Sequence, residues 1–561
     1  MNPTLPAPRS GGRILIDALR IHGVDTVFCV PGESFLAAID ALHDASADIR
    51  LVVCRQEGGA AHMAEAHGKL TGRPGVCFVT RGPGAANASI GIHTARQDST
   101  PLVMFVGQVA RGHLGREAWQ EVEFRHMYGH IAKWVDQIDD PARIPEAVSR
   151  AFHTACAGRP GPVVLALPED MLEEAAQVAD CPPYARTQAW PAPADMQALS
   201  ARLAAAERPL LILGGGGWTG EATADIARFA ESHRLPVVCA FRRQDLFDNR
   251  RELYAGEAGL AMNPLLAERI RQADLIVAAG PRLGEASTNG YTLLDVPRPA
   301  QTLVHVHADP EELGHVYHAD LAINAGPAGF AAAAAALPAP AAIPWAEWAA
   351  AARADYLANL QPGPMPGPVD LGAVMVWLRE RLPADAILTN GAGNYTMWVQ
   401  RFYQYRGLRT QLAPTSGTMG YGLPAAVAAK LAHPDRPVLC FAGDGCFLMN
   451  GQELATAVKY GLGIVVIVVN NGIYGSIRMH QERHYPGKVY ATDLANPDFR
   501  LLAQAYGAHG ERVERTEDFA PAFERALAAG GPALIELRVS PEAITPRTTL
   551  TALREQALAR S

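Results

Sequence analysis

The 561-residue sequence has no Cys-x-x-Cys pair, no apolar run approaching the length of a membrane span, and no excess of basic residues. Each absence removes a class. A net charge of −8 is modest at this length and offers no nucleic-acid surface. The N-terminal stretch MNPTLPAPRSGG lacks the basic-plus-apolar pattern of a signal peptide, and no membrane association is expected. Most of the eight cysteines, among them Cys54, Cys77, Cys239 and Cys440, sit in apolar strand-like runs, where cysteine behaves as a small buried hydrophobe. A reduced, cytoplasmic setting is expected. What is present is ordinary for a soluble globular protein, 49% apolar and 19% charged residues, in a chain too long for one core.

Strand-like runs come in three groups of four. RLVVC, GVCFVT, PLVMFVGQV and PVVLALP form the first; PLLILGG, PVVCAF, LIVAAG and TLVHVHAD the second; AILTNG, PVLCFAG, IVVIVVN and PALIELRV the third. Helical patterns such as GGAAHMAEAHGKLTG and PAAVAAKLAH separate them, which predicts repeated βα units and parallel sheets. Two strand-poor segments rich in Pro and Ala, 181–195 and 331–345, read as linkers. The expected architecture is α/β, with three doubly wound parallel-sheet domains at 1–180, 190–335 and 350–545.

The third group holds the sharpest chemical signal, FAGDGCFLMNGQELATAVKYGLGIVVIVVNNG at 441–472. Two β-branched, charge-free runs end in Gly-Asp-Gly and in Asn-Asn-Gly, with a helical pattern between them that stops at Gly461. Two polar clusters therefore stand at the carboxyl ends of two parallel strands, the edge where open α/β sheets bind ligands. Asp444 offers a carboxylate and Asn471 an amide oxygen, hard ligands suited to Mg²⁺, which usually bridges substrate phosphates. Gly443 and Gly445 allow close approach of a phosphate, and a helix expected after Cys446 directs its amino end there. Either cluster alone is an ordinary strand-to-helix loop; the pair is what points to a diphosphate held through a metal ion.

Gly443-Asp444-Gly445 followed by Asn470-Asn471 resembles the cofactor motif of thiamine-diphosphate enzymes, and the likeness runs along nearly the whole chain. It implies pyrimidine-binding, central and diphosphate-binding domains. It also implies a metal site made by Asp444, Asn471 and the carbonyl of Ile473. In CRQEGGAAHMAEAHGKLTG, Glu57 resembles the family's catalytic glutamate, which protonates the cofactor's aminopyrimidine ring. A carboxylate does such work only if held, partly desolvated, against the ring nitrogen. The ordinary alternative is an acid favoured at a helix amino terminus. In the family this glutamate reaches the cofactor of a neighbouring subunit, so a homodimer or homotetramer with active sites at the interface is implied.

Within the family the chain is most similar to the acetohydroxyacid (acetolactate) synthase branch. VTRGPGAANASIGIHTARQDSTPLVMFVGQV at 79–109 carries the likeness almost throughout and adds Pro83 and Asn87 to the implied cofactor set. GREAWQE at 115–121 resembles that branch's loop ending in Phe-Gln-Glu, with Trp119 in place of the Phe. It implies a substrate contact for Gln120, and the same likeness gives Lys133 as an active-site lysine, with a solvated helix-end cation as the alternative. TSGTMGYGLPAA at 415–426 matches the segment whose bulky residue, here Met419, props the cofactor in its bent form. Gly417 lies beside it, and a core methionine is the alternative. GAGNYTMW at 391–398 brings Asn394 to the diphosphate region.

The departures are as informative. Where the synthases have a tryptophan that selects the second keto acid, this chain has His480, and their PGGA is PGES here, which adds Glu33. Both make the expected pocket more polar and could supply protons, or be surface polar residues near a loop. In the middle domain LILGGGGWTG at 211–220 looks like a dinucleotide loop, weak by itself, and the resemblance brings in FAD as a candidate cofactor. The expected function is decarboxylation of a 2-keto acid, dependent on thiamine diphosphate and Mg²⁺, with ligation to a second carbonyl. The alternatives are simple decarboxylation, cleavage of a 2-hydroxy ketone or 2-hydroxyacyl compound, or a silent cofactor-binding paralogue.

Overall fold

A computed structural model describes residues 7–560. The first six residues, half of the amino-terminal stretch without a signal pattern, lie outside the described residues. The chain forms two compact units, one of residues 1–187 with 427–432, the other of 188–426 with 433–561. The first unit carries one parallel six-stranded sheet and the second carries two. Among the described residues no helix is long and apolar enough to cross a membrane.

Six strands per sheet, not four, is the first correction to the sequence reading. In the first unit the order is Arg50–Val53, Thr26–Cys29, Gly75–Val79, Leu102–Gln108, Pro162–Pro168, Trp134–Gln137. Numbered along the chain, this is 2-1-3-4-6-5. The third sheet repeats that order with Gln411–Leu412, Ile387–Asn390, Val438–Gly443, Ile464–Asn470, Ala533–Arg538, His509–Val513. The middle sheet differs. It runs Tyr254–Ala258, Val237–Ala240, Pro209–Leu213, Leu275–Ala279, Thr302–His307, Leu321–Asn324, the 3-2-1-4-5-6 order of a Rossmann sheet. Five of the six additional strands lie at sheet edges, where one side is open and an unbroken apolar run is not required. His509–Val513 is partly exposed over four of its five residues, and Gln411–Leu412 is only a two-residue strand. The sixth, Thr26–Cys29, is internal but just four residues long.

Interior strands bury both faces, as their uninterrupted apolar runs predict. In Pro209–Leu213, Leu211 and Leu213 enter one core while Leu210 and Ile212 enter the other. The segment 331–345 is not a free linker. Its first residues complete the helix Pro327–Ala335, where Phe330, Ala331 and Ala334 are buried, and Trp345 is 1% exposed with its indole N–H donating to His233 O at 3.0 Å. Alanine-rich composition there serves close helix packing rather than flexibility.

Two features of the fold position functional side chains. In the first unit, helix Glu57–Thr71 is lined with small buried residues and lies against helix Gly82–Asp98. A Cβ on Gly91 would stand 2.3 Å from that of Ala61, so only glycine permits this approach. One turn back along each helix are Glu57 and Asn87, which the same packing brings together. In the second unit the last helix, Leu550–Leu558, docks on helix Gly475–His484. Arg554 donates to both oxygens of the buried Glu482, at 2.8 and 2.5 Å, and Arg478 adds a bond at 3.1 Å.

The Arg554 hydrogen bonds, with help from Gly487 N–H and the two guanidinium charges, hold the Glu482 carboxyl down at about 2. A carboxyl whose folded value is depressed stabilises the fold above its unfolded value, and that contribution disappears as pH falls through the folded value. Glu482→Gln should therefore lower the melting temperature at neutral pH. Its difference from the native chain should shrink as pH drops from 4.5 toward about 2, measured by thermal melts across that range.

Candidate active site

Strands Val438–Gly443 and Ile464–Asn470 are adjacent and parallel, with Gly443 in register with Val469. Asp444 and Asn471 thus leave matched strand ends, as the sequence predicts. They sit beside the topological switch of the third sheet, where the order reverses between Ile387–Asn390 and Val438–Gly443. A cavity of about 200 Å³ opens there. Asn394, Gly417, Met419, Gly443, Asp444, Gly445, Asn471 and Ile473 all line it.

Asp444 is 3% exposed. Its Oδ1 accepts from Gly445 N–H at 3.0 Å, and its Oδ2 accepts from Gly472 N–H at 2.9 Å and from Asn496 Nδ2 at 2.7 Å. Burial pushes its pKa up, against those three hydrogen bonds. Among the described residues no ammonium or guanidinium forms an ion pair with it, so a buried anion stands without a counter-cation. Asn471 Oδ1 accepts only from Ile473 N–H, at 3.2 Å. The antiparallel bridge between Ile473 and Asp493 uses Gly472 O and Tyr474 N–H, leaving the Ile473 carbonyl outside it. Among the described residues no three His, Cys, Asp or Glu side chains cluster as metal ligands. One carboxylate, one amide oxygen and one carbonyl are what Mg²⁺ uses when phosphates and water complete its shell, so the donor set fits that ion.

The surroundings depart from the sequence expectation in detail. The helix begins at Asp444 itself, capped by Gly443, and runs only to Phe447, not from beyond Cys446. The stretch before Gly461 is broken into that turn, a 3₁₀ turn at Gly451–Glu453 and the helix Leu454–Lys459. Glycine at 443 and 445 is explained by the chain itself. A Cβ at 443 would lie 3.2 Å from the Tyr395 ring, and one at 445 only 2.7 Å from the Tyr474 ring. Gly417, at φ +67°, faces open space. Met419 is partly buried against the third-sheet core and also lines the cavity, so it belongs to both surroundings weighed for it. Asn394 donates to Ile544 O at 3.0 Å. His480 is exposed and stacks on His484, while Ile477, one turn earlier, lines the cavity.

In the first unit, Glu57 opens its helix and its Oε2 accepts from Asn87 Nδ2 at 2.9 Å. A Cβ on Gly84 would be 3.5 Å from Glu57 Oε1, which places the carboxylate against the Gly82-Pro83-Gly84 turn. Gln120 joins the same turn, its carbonyl accepting from Gly82 N–H at 2.9 Å, with φ at +67°. Trp119 beside it is 74% exposed. Glu33 lies at the switch point of the first sheet, 3.5 Å from the guanidinium of buried Arg81, which also pairs with Glu169. Glu57, Pro83, Asn87 and Gln120 are thus gathered around one helix start. Lys133 has another position: its ammonium donates to Thr154 O and Ala157 O at 2.7 and 2.6 Å, at the end of helix Ile144–Cys156. In the middle sheet the glycine loop is filled by its own chain. A Cβ on Gly215 would meet Gly280 O at 2.0 Å, one on Gly214 would meet Pro281, and Trp218 closes the loop through Gly214 O.

Sequence reasoning missed Asn496, Arg81, Tyr395 and Tyr474. Asn496 follows no periodic pattern and precedes a proline, so it reads as a turn residue.

Comparison with known proteins agrees with this geometry. Residues 9–127 match the N-terminal TPP binding domain of thiamine pyrophosphate enzymes, 196–334 their central domain, and 391–537 their C-terminal TPP binding domain. The chain belongs to the thiamine pyrophosphate enzyme family. Among its relatives is the acetolactate synthase large subunit of Parasynechococcus marenigrum, 35% identical over 96% of this chain and 89% of that protein. The acetolactate synthase of Mycobacterium bovis is 34% identical over 95% and 88%, and the isozyme 2 large subunit of Escherichia coli is 29% identical over 94% and 95%. The family supplies the diphosphate that the cavity's donor set fits.

Ligand binding to the folded state stabilises it by RT ln(1 + [L]/Kd), about 2.7 kcal/mol at a hundredfold excess over Kd. Thiamine diphosphate with Mg²⁺ should raise the melting temperature of the native protein. Asp444→Ala should abolish that rise, measured against the variant's own cofactor-free melt, because the carboxylate also accepts three hydrogen bonds that the variant loses.

Proposed function

We propose that the protein is a carboligase that uses thiamine diphosphate and Mg²⁺ to decarboxylate a 2-keto acid and join the remaining acyl fragment to a second carbonyl compound. The observation that carries this is the buried Asp444 carboxylate without a counter-cation, beside Asn471, in a thiamine-pyrophosphate-binding domain. Bound thiamine diphosphate supplies the electron sink that makes loss of CO₂ from a 2-keto acid feasible. The chain's own residues do the rest. Asp444, Asn471 and the Ile473 carbonyl would hold the metal ion for the diphosphate, and Met419 and Gly417 shape the cavity beside them. Glu57 holds a proton at its carboxyl oxygen for the pyrimidine ring, kept in place by Asn87 and the Gly82-Pro83-Gly84 turn. Gln120 and Glu33, at the same helix start and sheet switch point, belong on the substrate side. His480 belongs at the outer edge of the acceptor site, beyond Ile477.

Glu57 and Asp444 stand in different compact units. The reading is that a working site takes Glu57 from one chain and Asp444 from another, so that the enzyme is at least a homodimer. If so, chains carrying Glu57→Gln refolded together with chains carrying Asp444→Ala should recover part of the activity that each lacks alone. Mixtures that assemble normally and stay inactive would contradict the sharing.

The defining experiment is incubation with pyruvate, thiamine diphosphate and Mg²⁺ with product identification. Acetolactate is expected; release of free aldehyde alone would make the protein a decarboxylase instead. Glu57→Gln should lower kcat by at least about 10²-fold, a general acid–base contribution, with a smaller effect on cofactor affinity. Near-normal turnover by that variant would remove the glutamate from the mechanism.

A further inference from the structure

Asn496 lies in a segment laid alongside the metal-site loop. Tyr474 N–H donates to Thr492 O at 2.8 Å, and Leu494 N–H donates to Gly472 O at 2.9 Å. From there the Asn496 Nδ2 reaches Asp444 Oδ2 at 2.7 Å and Asn470 Oδ1 at 3.0 Å. The direction of these bonds is forced from the far end of the network. Glu536 is fully buried, paired with Arg512 at 3.0 Å and Arg538 at 3.3 Å, and as a carboxylate it can only accept. Asn470 must therefore turn its Nδ2 toward Glu536, at 2.7 Å, and its Oδ1 away. Two acceptors, Asn470 Oδ1 and Asp444 Oδ2, then face Asn496, and only its NH₂ end fits between them. The arrangement leaves Asn496 Oδ1 buried without a partner, an unfavourable feature that the two Nδ2 bonds must outweigh.

The consequence falls on Asp444. Gly472 N–H, shared with Asn470 Oδ1 at 3.1 Å, and Asn496 Nδ2 both donate to Oδ2, while among the described residues Oδ1 has only Gly445 N–H. A carboxylate oxygen has two lone-pair sites, so Oδ2 is filled and Oδ1 retains one. We propose that Asn496 is a positioning residue for the cofactor's metal ion, pinning Asp444 Oδ2 so that the carboxylate meets the ion through Oδ1 alone. This rests on the assignment of Asp444 as a metal ligand. Single-oxygen ligation suits the small octahedral shell of Mg²⁺, whereas Ca²⁺ readily takes both oxygens of a carboxylate. Asn496 therefore also biases the site toward Mg²⁺.

The test is calorimetric titration of Mg²⁺, and separately of Ca²⁺, into the full-length protein at saturating thiamine diphosphate. Loss of a residue that orients a metal ligand weakens metal affinity by about 10–100-fold. Asn496→Ala should raise the Mg²⁺ Kd by that factor and the Ca²⁺ Kd much less. Asn496→Ser, which keeps one donor, should fall between the native protein and the alanine variant, and it carries the test if the alanine variant does not fold. An unchanged Mg²⁺ Kd overturns the proposal, and so does equal weakening of both cations, the mark of a merely structural role. If the native protein binds no Mg²⁺ with thiamine diphosphate, the metal assignment of Asp444 itself is wrong, a failure separate from that of Asn496.

Discussion

A carboxylate buried to 3% exposure with only amide N–H groups around it is the constraint on which the second unit's carboxyl-edge architecture depends. Isolated burial of a charge is strongly unfavourable, and amide hydrogen bonds recover only part of that. The fold accepts this at Asp444 because the strand ends, the Gly472 turn and the Asn496 segment converge there. A divalent cation at this place would complete the balance that the chain leaves open. The Tyr395 ring packs close to Gly443, and the Tyr474 ring leaves no room for a side chain at 445.

The first and third sheets share one strand order, and each places its candidate residues at the carboxyl edge. In the third sheet the switch point carries Asp444. In the first it carries Glu33 and Arg81, with Glu57 following the edge strand beside it. The middle sheet has the other doubly wound order, and its glycine loop is packed by its own backbone and by Trp218. Two sheets therefore present candidate residues at corresponding edges, while the middle one has the strand order of a nucleotide-binding sheet. That division agrees with family matches that assign cofactor binding to the two outer domains.

The duty of a charged or titratable side chain is set by its position. Lys133, resembling an active-site lysine, neutralises carbonyl ends of a helix, where the backbone dipoles favour a cation. Glu57, at a helix start, is one turn from the closest approach of two helices and gains Asn87 as a fixed partner. His480 keeps an exposed place stacked on His484, four residues on along the same helix face, while Ile477 lines the cavity.

By itself the sequence determined whatever depends on local pattern. Interior strands show as charge-free β-branched runs because both faces are buried, and Asp444 and Asn471 show as breaks at the ends of two of them. Glu57 and the Gly82-Pro83-Gly84 turn are likewise legible as strand-to-helix junctions. Tertiary structure decided what depends on distant residues meeting. Edge strands such as His509–Val513 take their conformation from a neighbour rather than from their own pattern, and the alanine-rich stretch after Ala331 became a packed helix end for the same reason. Asn496 stands 52 positions from Asp444, and the antiparallel bridge of its segment to the loop after Asn471, itself set beside Asp444 by the parallel sheet, brings them to 2.7 Å. A hydrogen bond of that reach has no periodicity to mark it, since its partner's position is set by the fold and not by spacing along the chain.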